Sequence, residues 1–235
     1  MKENICTIPI NDLLKPRDGC PVCRMTAMLE ENYVDFIVGD AMMEPNIRIE
    51  TNRMGFCHRH FSKMFSAGQK LPNALILESH LKSVIENVLP KNGSGKPDKK
   101  ALEKIESLDK TCYVCERIEK DIHHLLATVF AEYVKSEEFR ELYREQPYVC
   151  LNHYALIMRD AMGKRGVGKL IKSFHSDTYE LTKNYLQKLK DDTTYFCSMF
   201  DYRNRGKDFG ESKDVIERDI EFLTQEKPFS YEQLS

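Results

Sequence analysis

Four short cysteine motifs set the geometry that this chain has to satisfy. Cys20-Pro-Val-Cys23 is followed after thirty-three residues by Cys57-His-Arg-His60, and Cys112-Tyr-Val-Cys115 after thirty-four by Cys150-Leu-Asn-His153. Each half therefore carries a C-x-x-C and then a C-x-x-H, three thiols and one imidazole in the same order. Six of the eight cysteines are used in this way. A C-x-x-C turn points two thiolates at one ion, and a C-x-x-H at a helix start does the same because positions i and i+3 share a face. Together they make a Cys₃His set, the tetrahedral donor chemistry that suits Zn²⁺. The spacing groups the ligands by repeat. Cys20, Cys23, Cys57 and His60 form one expected site, and Cys112, Cys115, Cys150 and His153 the other, for two zinc ions per chain. A helix of about eighteen residues travels roughly 27 Å, and about a dozen partly extended residues cover the return. The metal would then pin the open end of a helical hairpin.

Charge and hydropathy narrow what such a chain can do. The net charge is −2, and it becomes about −4 if each site holds a divalent ion on three thiolates. That is no electrostatic footprint for a nucleic-acid backbone. No apolar run approaches the roughly 18–20 residues of a membrane span, and Met1 to Pro16 offers no signal-peptide core. The expected compartment is the cytoplasm, where thiols stay reduced and C-x-x-C reads as a metal or redox site before it reads as a disulfide. An iron–sulfur cluster and a redox dithiol at Cys20/Cys23 stand beside zinc as alternatives. The redox reading leaves the paired C-x-x-H unexplained. A catalytic zinc keeps an open fourth position, whereas four ligands are on offer here, so both sites read as structural.

The rest of the chain reads as all-α. Residues 1–19 look like an irregular lead-in, with Pro16 and Gly19 as breakers. Met25, Met28, Leu29, Phe36 and Ile37 outline a first helix ending at Gly39. Pro45 opens a short second one, Phe61, Met64 and Phe65 mark a third that stops at Gly68, and Leu77, Leu81, Val84, Ile85 and Val88 share a face of a fourth. Residues 91–100 (KNGSGKPDKK) carry no apolar side chain and read as a linker. After a short helix from Ala101 to Leu108 the plan recurs. Ile118, Ile122, Leu125, Leu126, Val129, Phe130 and Tyr133 form a stripe, Ser136 to Gln146 a short helix, and Tyr154, Ile157 and Met158 follow Cys150. Val167 to Leu189 outline a long helix. The register breaks at one place, where Glu30 stands opposite Ile122. The expected organisation is a first repeat over 1–90, a linker over 91–100, a second repeat over 101–190, and a C-terminal loop and helix over 191–235 that include Ile216, Ile220 and Leu223. No segment asks for a strand.

Residues outside the motifs have ordinary readings. His58 is expected at the surface, because Leu151 takes its place in the second repeat. His123 and His124 read as helix histidines, and His80 and His175 as packed or surface side chains. Cys6 and Cys197 read as plain thiols. Arg203, Arg205 and Lys207 are offset by Asp201 and Asp208 in a solvated loop.

CPVC with GFCHRH, repeated as CYVC and VCLNH, resembles an uncharacterised bacterial family of about this length. Its members carry the doubled pattern and end in a stretch like Phe200 to Arg205. The resemblance implies the same eight ligands and no reaction. Tyr148-Val149 stand where the first repeat has Gly55-Phe56. The expected function is a non-enzymatic binding or adaptor module for an unknown protein or small-molecule partner. The alternative is an enzyme or a thiol/metal sensor that uses the sites chemically.

Overall fold

Every long apolar periodicity is realised as a helix. The computed structural model describes residues 10–228 apart from Asn92 and Gly95, and among the described residues no strand occurs. The α-helices are α1 (Ile10–Leu14), α2 (Pro21–Val38), α3 (Pro45–Met54), α4 (His58–Ser66), α5 (Lys70–Ser83), α6 (Lys99–Asp109), α7 (Tyr113–Lys135), α8 (Glu137–Arg144), α9 (Leu151–Ala161), α10 (Ile171–Ser198) and α11 (Val215–Thr224). The lead-in is less irregular than expected. Leu13 and Leu14 are buried in α1, and Gln146 donates to the Leu14 carbonyl at 2.7 Å. The long helix also outlasts its apolar pattern, running to Ser198.

The chain forms two compact units, Met1–Met25 with His123–Ser235 and Thr26–Ile122. They cut across the sequence repeats, and α2 and α7 each contribute residues to both. Lys91 to Asp98 fall within the span of the second unit and form no helix where they are described, and Lys99 and Lys100 open α6, whose first turn is capped by Asp98 accepting from the Lys100 amide.

In the unit of Met1–Met25 and His123–Ser235, an aromatic core joins α7, α8 and α10. The Phe174 ring lies 5.4, 4.8 and 5.2 Å from those of Phe130, Tyr133 and Tyr143, and all four side chains are buried. The two hydroxyls are not stranded: Tyr143 meets Thr178 at 2.9 Å and Tyr133 donates to Asp177 at 2.6 Å. Such satisfaction is what allows a tyrosine to sit in a core. The turn between α9 and α10 depends on Gly166. A Cβ there would lie 1.9 Å from the Ala161 carbonyl oxygen, which already accepts from the Val167 amide. Gly166→Ala is expected to cost about 1–3 kcal/mol through forced backbone movement. The check is thermal unfolding, where an unchanged midpoint would mean that the turn opens freely.

The unit of Thr26–Ile122 packs Val34, Ile37, Met54, Phe56, Met64, Ile76, Tyr113 and Val114 into one core. Helix α5 meets it through Pro72 and Ile76, leaving the Leu77, Leu81 and Ile85 stripe largely exposed. Polar anchors choose that orientation. Asn73 donates to the Met64 carbonyl, Ser79 to Asn52, and Arg48 of α3 to the Leu75 carbonyl. Beyond Ser83 the helix widens into a π turn, Val84–Val88.

Candidate metal centres

All four ligand pairs sit at helix N-termini. Cys57 and Cys150 are the N-cap residues of α4 and α9. Cys20 and Cys112 hold the equivalent place before α2 and α7, their carbonyls accepting from the Arg24 and Glu116 amides. Each motif thus supplies an N-cap thiol and a second ligand three residues on, one turn into the helix. Pro21 suits the first helical position, where no amide partner is needed. Unpaired amides and the positive end of the helix dipole favour thiolate at such a position. Two helix ends converge at each centre, which offsets the excess negative charge of three thiolates around a divalent ion.

The structure unites all eight expected ligands into two sets of four, in a different pairing from the one that spacing suggests. Cys20 and Cys23 join Cys150 and His153, and Cys57 and His60 join Cys112 and Cys115. Each C-x-x-C meets the C-x-x-H of the other repeat. Contacts within the unit of Thr26–Ile122 hold the second set together: the Tyr113 amide donates to the Gly55 carbonyl at 3.0 Å and the Thr111 hydroxyl to the Met54 carbonyl at 2.7 Å. Gly55 is at φ +63, and its α-carbon faces the His80 ring so closely that a Cβ would lie 3.0 Å from it.

The spacings fit a tetrahedral ion. Four arms of 2.3 Å give sulfur–sulfur edges of about 3.8 Å, and a nitrogen arm of 2.0–2.1 Å gives sulfur–nitrogen edges of about 3.5–3.6 Å. Cys23 and Cys150 are 3.8 Å apart and Cys57 and Cys115 3.9 Å. His153 Nδ1 lies 3.7, 3.3 and 3.2 Å from the sulfurs of Cys20, Cys23 and Cys150. His60 Nδ1 lies 3.2, 3.2 and 3.4 Å from those of Cys57, Cys112 and Cys115. Both histidines present the same ring nitrogen. These sulfur–nitrogen edges lie within about 0.4 Å of the tetrahedral values, so both sets suit a single tetrahedral ion.

The side chains are electrostatically coupled. Burial alone would raise the Cys112 thiol, yet the His60 imidazole and the backbone amides of Cys115 and Cys57 bring it down to about 6. Burial and the neighbouring Cys112 push Cys115 up. Burial works to lower His60 and His153, and sulfur neighbours overcome it, raising them to about 10 and about 9. At His60 the Glu30 carboxylate contributes to the same upward shift.

The two centres differ in their surroundings. In the first, Cys20, Cys150 and His153 are buried and Cys23 is half-buried, and Gln225 Nε2 donates to the Cys150 sulfur at 3.4 Å. Gln225 sits just past α11 in the left-handed region, at φ 68. In the second, Cys115 is exposed and Cys57 half-buried. Behind His60 lies Glu30, 3% exposed, with Oε1 3.0 Å from His60 Nε2. That approach is off the ideal N–H line. Arg59 grips Glu30 at 2.8 and 3.0 Å and Lys63 at 2.6 Å. Burial would raise the carboxyl, but these three partners hold it well below the usual carboxylate range. Glu30 was visible in the sequence as the acid that interrupts the apolar register of the repeat. Gln225 carried no such signal.

The remaining histidines join neither set. His58 is exposed, as its unmatched position suggested. His80 Nδ1 faces the Asn52 carbonyl at 3.1 Å, His175 meets the Tyr154 hydroxyl at 2.9 Å, and His123 pairs with Asp160 at 2.5 Å. Cys197 is exposed, and Cys6 lies outside the described residues. Arg203 is held by Asp201 at 2.6 Å. Among the described residues no helix is long and apolar enough to cross a membrane.

Comparison with known proteins gives kinship and no reaction. A family described as "Family of unknown function (DUF6062)" matches residues 1–230. An "Uncharacterized 23.9 kDa protein in xynA 3'region" of Caldicellulosiruptor sp. (strain Rt8B.4) is 20% identical over 183 residues, 76% of this chain and 84% of the relative. No solved structure matches.

Proposed function

The chain belongs to this family of unknown function, and on that premise we propose that it is a non-enzymatic binding or adaptor module of the cytoplasm, built around two structural zinc ions. The observation that carries the zinc reading is the ligand geometry. Each centre gathers one nitrogen and three sulfurs within 4.8 Å of one another, with a sulfur–sulfur edge of 3.8 or 3.9 Å that matches a zinc tetrahedron, and four protein ligands are on offer at each. A closed centre of this kind joins two helix ends and contributes folding energy in place of reactivity. The binding role draws support from the outward face of α5 and its π turn. Leu77, Leu81 and Ile85 recur there at four-residue spacing, 40%, 58% and 65% exposed. A stripe of this kind on a soluble helix suits contact with an apolar protein surface.

Metal analysis by native mass spectrometry tests the first part. Protein purified without chelator is expected to carry two zinc ions per chain, and Co²⁺ exchanged into both sites should give the absorption of tetrahedral thiolate coordination. Iron–sulfur absorption, or a metal content near zero, would overturn it. Thiol sensing is the second reading, favoured by the exposure of Cys115. It predicts rapid alkylation of Cys115 in metal-replete protein, where the structural reading predicts protection until a chelator is added.

A further inference from the structure

Among the described residues Glu30 is the one buried carboxylate, and the structural reading leaves it unused. It lies within α2, a helix whose inward side is otherwise apolar, at a position where the second repeat has Ile122. An acid buried to this degree needs compelling partners, and it has three, all from the first turns of α4. Two of them, Arg59 and Lys63, are about half exposed at 51% and 46%. They could satisfy their charges in water without drawing a carboxylate inside. The third cannot. His60 is 3% exposed, its Nδ1 lies 3.2–3.4 Å from three sulfurs, and its buried Nε2 makes no well-directed hydrogen bond but lies 3.0 Å from Glu30 Oε1. Among the described residues no carboxylate contacts His153 in the other centre.

We infer that Glu30 is a positioning residue for the second metal centre: it holds the His60 ring so that Nδ1 faces the ion and Nε2 keeps its proton. A carboxylate on the far nitrogen fixes the tautomer of a ligating histidine, restrains the ring and makes the metal-facing nitrogen a better donor. Arg59 and Lys63 bond both oxygens of Glu30 and so fix its carboxylate in place behind the His60 ring. The centre with the exposed cysteine is thereby held by its histidine arm, and the buried centre by packing and the Gln225 contact. The two ions of one chain are retained by different means. This inference rests on the metal reading above.

The test is chelator challenge of the full-length, metal-replete chain, read site by site through alkylation of the cysteines. Glu30→Ala is expected to speed deprotection of Cys57, Cys112 and Cys115 by about 10–100-fold, the usual cost of losing such a partner, with Cys20, Cys23 and Cys150 unchanged. Glu30→Gln retains an acceptor for Nε2–H and is expected to restore most of the protection. It also serves where the alanine variant folds poorly. The Arg59→Ala/Lys63→Ala double variant separates ion pairing from histidine orientation and should deprotect less than Glu30→Ala. Ring-nitrogen NMR supplies a signature that mere packing would not move: in metal-replete Glu30→Ala the His60 Nε2–H resonance should shift and its proton exchange faster with water. Two retained ions with equal release rates in Glu30→Ala and the parent protein would overturn the inference and leave the metal reading intact. So would a loss in the double variant equal to that in Glu30→Ala. Absence of metal in the parent protein would instead remove the metal reading itself.

Discussion

Replacing Cys57 with serine is expected to deprotect Cys112 and Cys115 while Cys150, Cys20 and Cys23 stay unreactive. The pattern follows from the crosswise pairing, in which Cys57 and His60 are gathered with Cys112 and Cys115 at the start of α7. Pairing within the repeats would give the opposite outcome, exposing Cys20 and Cys23, and peptide mass spectrometry after alkylation distinguishes the two directly. The effect on stability should also be large. Structural zinc contributes on the order of 10–16 kcal/mol in small zinc-finger peptides. The unit of Thr26–Ile122 has an apolar core of its own, so the loss should be a fraction of that. Even about 3 kcal/mol would lower the unfolding midpoint of a unit near 100 residues by roughly 12–24 °C. Cys115→Ser should produce the same pattern on the same unit. Cys150→Ser should deprotect Cys20 and Cys23.

Cleavage of the chain between Lys91 and Asp98 is expected to leave the two fragments joined. The segment has no helix and is exposed wherever it is described, and it offers lysines to trypsin, so limited proteolysis should cut here early. Each centre takes one ligand pair from before the cut and one from after it: Cys20/Cys23 with Cys150/His153, and Cys57/His60 with Cys112/Cys115. The nicked protein should therefore migrate as one species on native size exclusion and keep two ions. Chelation should then lower the denaturant concentration at which the fragments part. Fragments that separate without chelation, each retaining one ion, would restore the sequential pairing. The experiment needs no mutation and thus does not confound pairing with folding.

The eight candidate ligands and the helical character of the chain were both legible in the sequence. Both are local properties. A cysteine before a helix and a ligand three residues on share one face whatever the rest of the chain does, and the stripe from Ile122 to Tyr133 buries as its period requires. Local pattern also flagged Glu30 as a residue out of register, without saying what it meets. Pairing was beyond the reach of spacing, because the two C-x-x-C and two C-x-x-H motifs are chemically interchangeable. Their nearly equal gaps gave no reason to prefer one match over another. What decided it was contact between segments far apart in sequence: Gly55 and Met54, just before α4, bond to Tyr113 and Thr111 at the start of α7, which brings Cys57 and His60 beside Cys112 and Cys115. The same holds for the face of α5, where polar anchors on Asn73 and Ser79, and not the leucine stripe, settle which side turns inward. Contacts between distant segments depend on the direction and length of everything between them, and only the tertiary structure adds those up.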